Sequence, residues 1–148
     1  MQVKAVINEK YQEIELHVCN KEANGEVWNL LEDLSGFVNR GLMVQAENGD
    51  KTMLSEKDVI SFYSERQRVY ARTTDAIYVV PKKLYELENE LDENRFIRIS
   101  KSEIINLRRI KKLDMSVVGT IRVIMKDGSE AYTSRRNIVK LKKALGIS

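Results

Sequence analysis

The chain has one histidine and one cysteine, the two residues with the clearest capacity for nucleophilic chemistry. His17 and Cys19 stand two positions apart in a predicted strand, so their side chains would share one face and could form a nucleophilic pair. No glycine-rich elbow or oxyanion donor accompanies them, and the sequence offers too few soft ligands for zinc. It contains neither a phosphate-binding loop nor a dinucleotide fingerprint. We therefore expect packing or surface positions for both residues, no enzyme activity, no metal and no cofactor.

A run of acidic residues could suggest a carboxylate pair or a second kind of metal site. The run consists of Glu86, Glu88, Glu90, Asp92 and Glu93. Glu86, Glu88 and Glu90 fall on the helix predicted over residues 81–91, alongside apolar residues, and Asp92 and Glu93 directly follow it. A charge run of this kind is typical of the solvated face of a helix, and that is the interpretation we favour.

Basic and hydroxyl residues gather in three places that the sequence predicts to be loop tips or element ends. The three clusters are Arg66, Gln67 and Arg68; Arg98, Ser100, Lys101 and Ser102; and Ser134, Arg135 and Arg136. Arginine and lysine bind phosphates, arginine and glutamine also read base edges, and hydroxyls donate to phosphate oxygens. Surface solvation remains the simpler interpretation of each cluster alone. Three clusters on loops of one small domain favour binding to duplex DNA.

The formal charge of +3 is unevenly distributed along the 148 residues. Residues 1–58 hold six basic and eleven acidic residues, a net charge of −5, and residues 59–148 hold 19 and 11, a net charge of +8. Residues 95–148 alone hold 14 basic and four acidic residues, a net charge of +10. This asymmetry indicates either a polyanion partner for the C-terminal part or a solvated basic face.

The N-terminal sequence shows no apolar leader after Met1, and no run approaches the roughly 20 apolar residues that cross a bilayer. A single cysteine excludes an internal disulfide and fits a reducing compartment. We expect a cytoplasmic protein.

Hydrophobic periodicity predicts two strands and a helix before a β-rich domain. Residues 2–7 and 13–18 alternate as strands, and residues 26–37 follow helical spacing with Asn24 as N-cap. The period and the charge sign both change between residues 40 and 57. We therefore predict an N-terminal strand-strand-helix extension over residues 1–41 and a DNA-binding domain over residues 42–148. The predicted fold class is mostly β, of the α+β type.

Short strands joined by tight turns dominate the predicted second domain, with Asn48-Gly49 and Asp127-Gly128 as hairpin turns. Strands are predicted at residues 42–46, 51–54, 58–64, 69–73, 77–80, 96–99, 104–107, 109–113, 117–125 and 130–133. Helices are predicted from Pro81 to residue 91 and over residues 135–145, the second capped by Ser134 and ended by Gly146. Tyr63, Tyr70 and Tyr78 fit cross-strand pairs or residues at the edge of the core.

The residues just described resemble the LytTR DNA-binding domain over residues 42–147. The most specific match is residues 96–106, which fit the string F-x-R-x-x-[KR]-S-x-[IL]-[IV]-N, followed by Lys126-Asp-Gly-Ser and Ser134-Arg-Arg-Asn. The resemblance implies about ten short strands in small sheets with little helix. It also implies promoter binding through loops that enter successive major grooves and bend the duplex.

Carried onto this sequence, the resemblance places three regions at DNA: residues 66–68, Lys101, and Arg136 with Arg135 beside it. Ser102 and Asn106 match family positions, and we expect Asn106 to cap a turn. The base-contacting member of residues 66–68 stays open, because this sequence has Gln67 between two arginines.

The first 40 residues are too short for a receiver domain, so the chain resembles the stand-alone regulators of this family. The resemblance implies a homodimer and, by analogy, a small membrane protein that inhibits the regulator. We expect the extension to mediate dimerisation or that contact, with Trp28 as an apolar anchor, or to cover one edge of the β domain. The alternative function is a protein-interaction module that docks on an anionic partner or membrane surface.

Overall fold

A computed structural model describes residues 1–38, 40–116 and 118–146 of the chain. The chain divides into two compact units, Met1–Asn39 and Arg40–Ser148. None of the helices in the described ranges has the length and apolar character that a bilayer crossing requires.

The first unit contains one helix, α1 (Gly25–Val38), preceded by irregular chain. The Asn24 side chain accepts the amide of Val27 at 3.0 Å, which confirms the predicted N-cap. The prediction of two strands, over residues 2–7 and 13–18, is wrong, because neither segment forms a backbone ladder. Their apolar side chains are exposed, Val3 and Ile14 each at 96%. A two-stranded pair with no covered face is marginal in water, and alternation alone does not hold one together.

In its described residues, the second unit contains ten strands in two antiparallel sheets, which confirms the mostly β class. The strands are β1 (Gly41–Gln45), β2 (Lys51–Ser55), β3 (Val59–Glu65), β4 (Arg68–Thr73), β5 (Ile77–Val80), β6 (Phe96–Arg98), β7 (Glu103–Asn106), β8 (Ile110–Asp114), β9 (Thr120–Met125) and β10 (Glu130–Ser134). The larger sheet has the order β2-β1-β5-β4-β3-β7-β6, and the smaller has the order β10-β9-β8.

Two apolar clusters form the core of this unit. The first lies between the larger sheet and the helix α2 (Leu84–Glu90), with Phe62, Leu87 and Ile104 buried in it. The second joins residues of β7, such as Ile105, to Val123 of the smaller sheet and to the last helix, α3 (Ile138–Leu145). Burial on both sides makes β3 and β7 the rigid centre from which the loops project.

Both helices of this unit begin later than the sequence predicts. Pro81 and Lys82 stay outside α2, where the Lys83 carbonyl accepts the amide of Leu87 at 3.1 Å. Residues Arg135–Asn137 form a 3₁₀ turn before α3, and the Ser134 hydroxyl makes no capping hydrogen bond. Gly146 ends α3 with φ +73°, as predicted, because glycine adopts the left-handed conformation at no steric cost. Val117, the first residue of the predicted ninth strand, lies outside the described residues.

Candidate nucleic-acid interface

The first basic cluster forms the two-residue turn between β3 and β4. Glu65 pairs with Arg68 in the strand register, so Arg66 and Gln67 alone make the turn. Both have positive φ, +49° and +67°, which defines a primed hairpin turn of the kind that Asn-Gly usually occupies. The turn instead carries two long, exposed polar side chains. Non-glycine residues held in this conformation are enriched at functional sites.

A stack of side chains stiffens the hairpin directly below this turn. The rings of Tyr63 and Tyr70, which are register partners, stack with centroids 5.4 Å apart, which confirms the predicted cross-strand pair. The Arg72 guanidinium lies over the Tyr63 ring at 4.8 Å from its centroid. The turn therefore projects from a rigid base.

The second cluster lies in the loop between β6 and β7, and Arg98 holds its shape. The guanidinium donates to the carbonyl of Ser100 at 3.0 Å and to that of Lys101 at 2.7 Å, and it pairs with Glu88 at 3.0 Å. The Ser100 hydroxyl accepts the amide of Ser102 at 3.3 Å. Arg98 is thus committed to its own loop, whereas the Lys101 side chain is exposed.

Two members of the acidic run take part in ion pairs. Glu88 pairs with Arg98, and Glu90 pairs with Lys82. Within the described residues, no cluster of histidine, cysteine, aspartate or glutamate side chains is arranged to hold a metal ion. Glu88, Glu90 and Glu93 are exposed, as expected for a solvated face.

The third cluster follows β10, where Ser134, Arg135 and Arg136 are exposed in and before the 3₁₀ turn. Arg135 donates to the carbonyl of Met115 at 3.2 Å. The turn containing Met115 is itself fixed, because Asp114 accepts the Ser116 hydroxyl at 2.6 Å and an Arg122 N–H at 2.6 Å. The bonds from Ser116, with the Arg122 guanidinium, lower the pKa of Asp114 to about 2. Asp114 therefore stays ionised well below neutral pH, and this support is lost only as the pH falls toward 2.

Hydrogen bonds join the three clusters into one surface. The Ser64 amide donates to the Ser102 carbonyl at 2.9 Å, which ties the hairpin to the second loop. The Ile99 carbonyl accepts the Thr133 hydroxyl at 2.8 Å and the Asn137 amide at 3.2 Å, which ties that loop to the third cluster. We call the joined surface, residues 65–68, 99–102 and 134–137, the loop edge.

Thr133 and Asn137 link the second loop to the third cluster, and sequence reasoning missed both of them. Thr133 is buried at an inward position of β10, and a buried threonine in an alternating strand is a signal for a hydroxyl with a fixed partner. Asn137 closes the Ser-Arg-Arg-Asn string. Asn106 was predicted to cap a turn, and this is confirmed: its side chain accepts the Arg108 amide at 3.0 Å and donates to the Val59 carbonyl at 2.8 Å.

A cleft of about 440 Å³ lies between the second loop and α3, lined by Ser100, Lys101, Asn137 and Lys140 among others. The sequence places Lys140 on the last helix but gives no sign that it faces Lys101 across a cleft. In the part of the chain that the structure describes, Arg66, Arg68, Lys101, Arg136 and Lys140 are exposed and take part in none of the ion pairs. Exposed cations outside the ion pairs, two of them lining the cleft, suit a polyanion.

Comparison with known proteins shows the family to which the chain belongs. Residues 50–146 match the family model of the LytTR DNA-binding domain. The LytTR domain of a methyl-accepting/DNA response regulator from Bacillus cereus superposes with a TM-score of 0.66 and 20% identity, covering 72% of this chain and 97% of that one. The chain belongs to the LytTR DNA-binding domain family, which confirms the predicted family and its DNA-binding class.

Full-length relatives extend the match to the N-terminal unit. Proteins named as uncharacterized HTH-type transcriptional regulators from Staphylococcus aureus strains MSSA476 and NCTC 8325 are each 31% identical over 147 residues, which is 99% of this chain and 99% of each relative. In the described ranges of this chain, α1, α2 and α3 are separated by strands, so no two of them form a helix-turn-helix pair.

Proposed function

We propose that this protein is a non-enzymatic, sequence-specific transcription regulator that grips duplex DNA with the loop edge. The observation that carries the proposal is the chain of hydrogen bonds from Ser64 through the second loop to Thr133 and Asn137. These hydrogen bonds hold three sets of basic residues at fixed distances along one edge. Binding to a rigid, regularly spaced polyanion requires such fixed distances.

The residues divide into three roles: reaching base edges, binding phosphates and positioning a loop. Arg66, Gln67, Arg68 and Arg136 stand at projecting turns, where long side chains reach base edges in a major groove. Lys101 and the hydroxyls of Ser100, Ser102 and Ser134 suit phosphate oxygens, with Lys140 across the cleft. Arg98 is a positioning residue, because its guanidinium is bonded to the loop that carries Lys101. Arg135 combines a DNA-contacting role with a positioning role, because its guanidinium donates to the Met115 carbonyl while its side chain is exposed.

The protein acts in the cytoplasm, as a homodimer on repeated half-sites. The N-terminal unit mediates dimerisation or contact with a small inhibitory membrane protein. Trp28 and Leu31 of α1 support an interaction role, because 62% and 38% of their surfaces are exposed. Curated relatives that match this chain over 99% of its length carry the N-terminal region as well.

Selection of bound duplexes from a random pool, followed by footprinting, tests the proposal. We expect a preferred site protected over successive major grooves and affinity that falls steeply with salt. Binding without any preferred duplex would contradict sequence-specific regulation and favour a general anionic partner.

A further inference from the structure

A second concentration of basic side chains lies away from the loop edge, at the other end of the strands. We call it the basic end, and it consists of Lys57, Arg108, Arg109, Lys111 and Lys126. Two hydrogen bonds join three of its members: an Arg109 guanidinium N–H donates to the Lys57 carbonyl at 2.8 Å, and the Lys126 amide donates to the Arg109 carbonyl at 2.7 Å.

The charges of the basic end are available to a partner. Arg109 is half-buried and the other four residues are exposed, and in the described ranges none of the five takes part in an ion pair. Two acidic residues lie nearby, Asp58 and Asp127. The Asp127 carboxylate already accepts the amide and the hydroxyl of Ser129, at 2.9 and 2.5 Å. Elsewhere in this unit, Arg40, Lys82, Arg98 and Arg122 all have carboxylate partners.

A duplex bound at the loop edge does not reach the basic end. Strand β3 starts next to Lys57 and ends at the hairpin turn, and its seven residues span about 20 Å. A major groove is roughly 12 Å wide and 8.5 Å deep, so loops that enter it leave the far end of β3 outside. The basic end is therefore free to bind an anionic partner other than that duplex.

The N-terminal unit has the complementary chemistry. Residues 1–39 contain seven acidic and three basic residues, a net charge of −4. Glu13 and Glu15 alternate with Ile14 and Leu16 in a segment that is exposed and forms no backbone ladder. Such a segment has solvent-exposed backbone groups outside any ladder, and apolar side chains that ordering against a partner would cover.

We propose that the acidic N-terminal segment around Glu13 and Glu15 of one copy binds the basic end of a second copy. Each copy carries both surfaces, so reciprocal exchange of the two segments would close the contact as a dimer. The inference rests on the proposed dimerisation through the N-terminal unit, and because the basic end lies outside the loop edge it does not depend on how DNA is read.

Two full-length charge-reversal variants test the inference. One is Arg108→Glu with Lys126→Glu, and the other is Glu13→Lys with Glu15→Lys. Sedimentation measures self-association, and we expect each variant to weaken it by about tenfold or more, while an equimolar mixture of the two recovers association. The control reverses Lys51 and Lys143, two exposed lysines outside the basic end, and should associate like the wild type. Higher salt should weaken the wild-type contact.

Several results would overturn the inference: a wild-type chain that stays monomeric at micromolar concentration, reversals that leave association unchanged, or a mixture that associates no better than either variant. Binding of the wild type to phosphatidylglycerol vesicles, abolished by the Arg108 and Lys126 reversals with self-association intact, would assign the basic end to a membrane instead. A gel shift on one half-site is measured in parallel. Retained DNA binding together with failed self-association would reject this inference and leave the proposed DNA-binding function standing.

Discussion

The amide of Ser64 donates to the carbonyl of Ser102 across 2.9 Å, one step beyond Tyr63 and Glu103, the last register pair of β3 and β7. This bond extends the pairing of the two strands into the loops that follow them. The hairpin turn and the second loop therefore keep one fixed separation, and a change in either is felt by the other.

Replacing Lys101 with alanine should weaken DNA binding and reduce its salt dependence, because one exposed cation at the loop edge is lost. We expect the slope of log affinity against log salt to fall by about 1, at similar cost on different sequences. Gel shifts at several salt concentrations measure this. Lys51→Ala, which removes an exposed lysine from β2, is the matched control, and an equal effect of both would contradict the assignment.

Arg98→Lys separates a positioning role from a simple charge. Lysine keeps the positive charge but lacks the fork that reaches the Ser100 and Lys101 carbonyls and Glu88 together. We expect Arg98→Lys to bind DNA as weakly as Arg98→Ala, with greater proteolytic sensitivity of the second loop. Wild-type affinity in Arg98→Lys would show that the charge itself contacts DNA.

Gln67→Gly should stabilise the fold and weaken DNA binding. Glycine removes the cost of a side chain at φ +67°, which we expect to raise the free energy of unfolding by about 0.5–1 kcal/mol. Urea denaturation measures the gain, and titration of the preferred duplex measures the loss. Gln67→Asn, which keeps an amide and tolerates this conformation, serves as the comparison. Unchanged affinity in Gln67→Gly would remove Gln67 from the interface.

Thr133→Val should loosen the link between the second loop and the third cluster. The substitution preserves shape but removes the hydroxyl that donates to Ile99, and we expect a loss of about 1–2 kcal/mol in stability. Affinity for DNA should fall although Thr133 is buried and touches no ligand. Thr52→Val, the same change at an exposed position of β2, should leave both quantities unchanged. Full affinity in a destabilised Thr133→Val would show that the link does not position the loops.

Arg40→Ala should destabilise the second unit more at neutral than at acidic pH. Glu56 is 4% exposed, pairs with Arg40 at 3.1 Å, and has a pKa raised by burial despite that partner. Without Arg40 the buried carboxylate lacks its closest cation, which we expect to cost about 1–3 kcal/mol at pH 7. A raised pKa means that the folded state takes up its proton before the unfolded state does. The deficit should therefore shrink as the pH falls from 7 toward the ordinary value of 4.5, as thermal unfolding at several pH values will show.

The sequence predicts the strands of the second unit well, because their apolar residues alternate and meet a core. Ile77–Val80 has the predicted bounds, and most other strands differ by one or two residues. The strands predicted in the N-terminal unit alternate equally well but have no covered face, and periodicity does not report whether a partner exists. Local pattern and tertiary packing therefore have to agree before a strand forms.

The sequence predicts which residues of the candidate site are exposed, but it does not predict the contacts that hold them in place. Charge and loop position identify Lys101 and Arg136, whereas the inward turn of Arg98 depends on Glu88, ten positions earlier in the sequence. The contacts of Thr133 and Asn137 with Ile99 cross more than thirty residues, and no local pattern encodes such a pairing.

Because the loops are bonded to one another, the entropy of ordering them is lost when the chain folds, before DNA arrives. If the loop edge binds DNA as proposed, the duplex is the more compliant of the two molecules and adjusts its groove spacing to the protein. Base steps that resist this deformation would be disfavoured even at positions that no side chain touches. Part of the preferred sequence would thus be a mechanical property of the DNA, read by a protein that hardly changes shape.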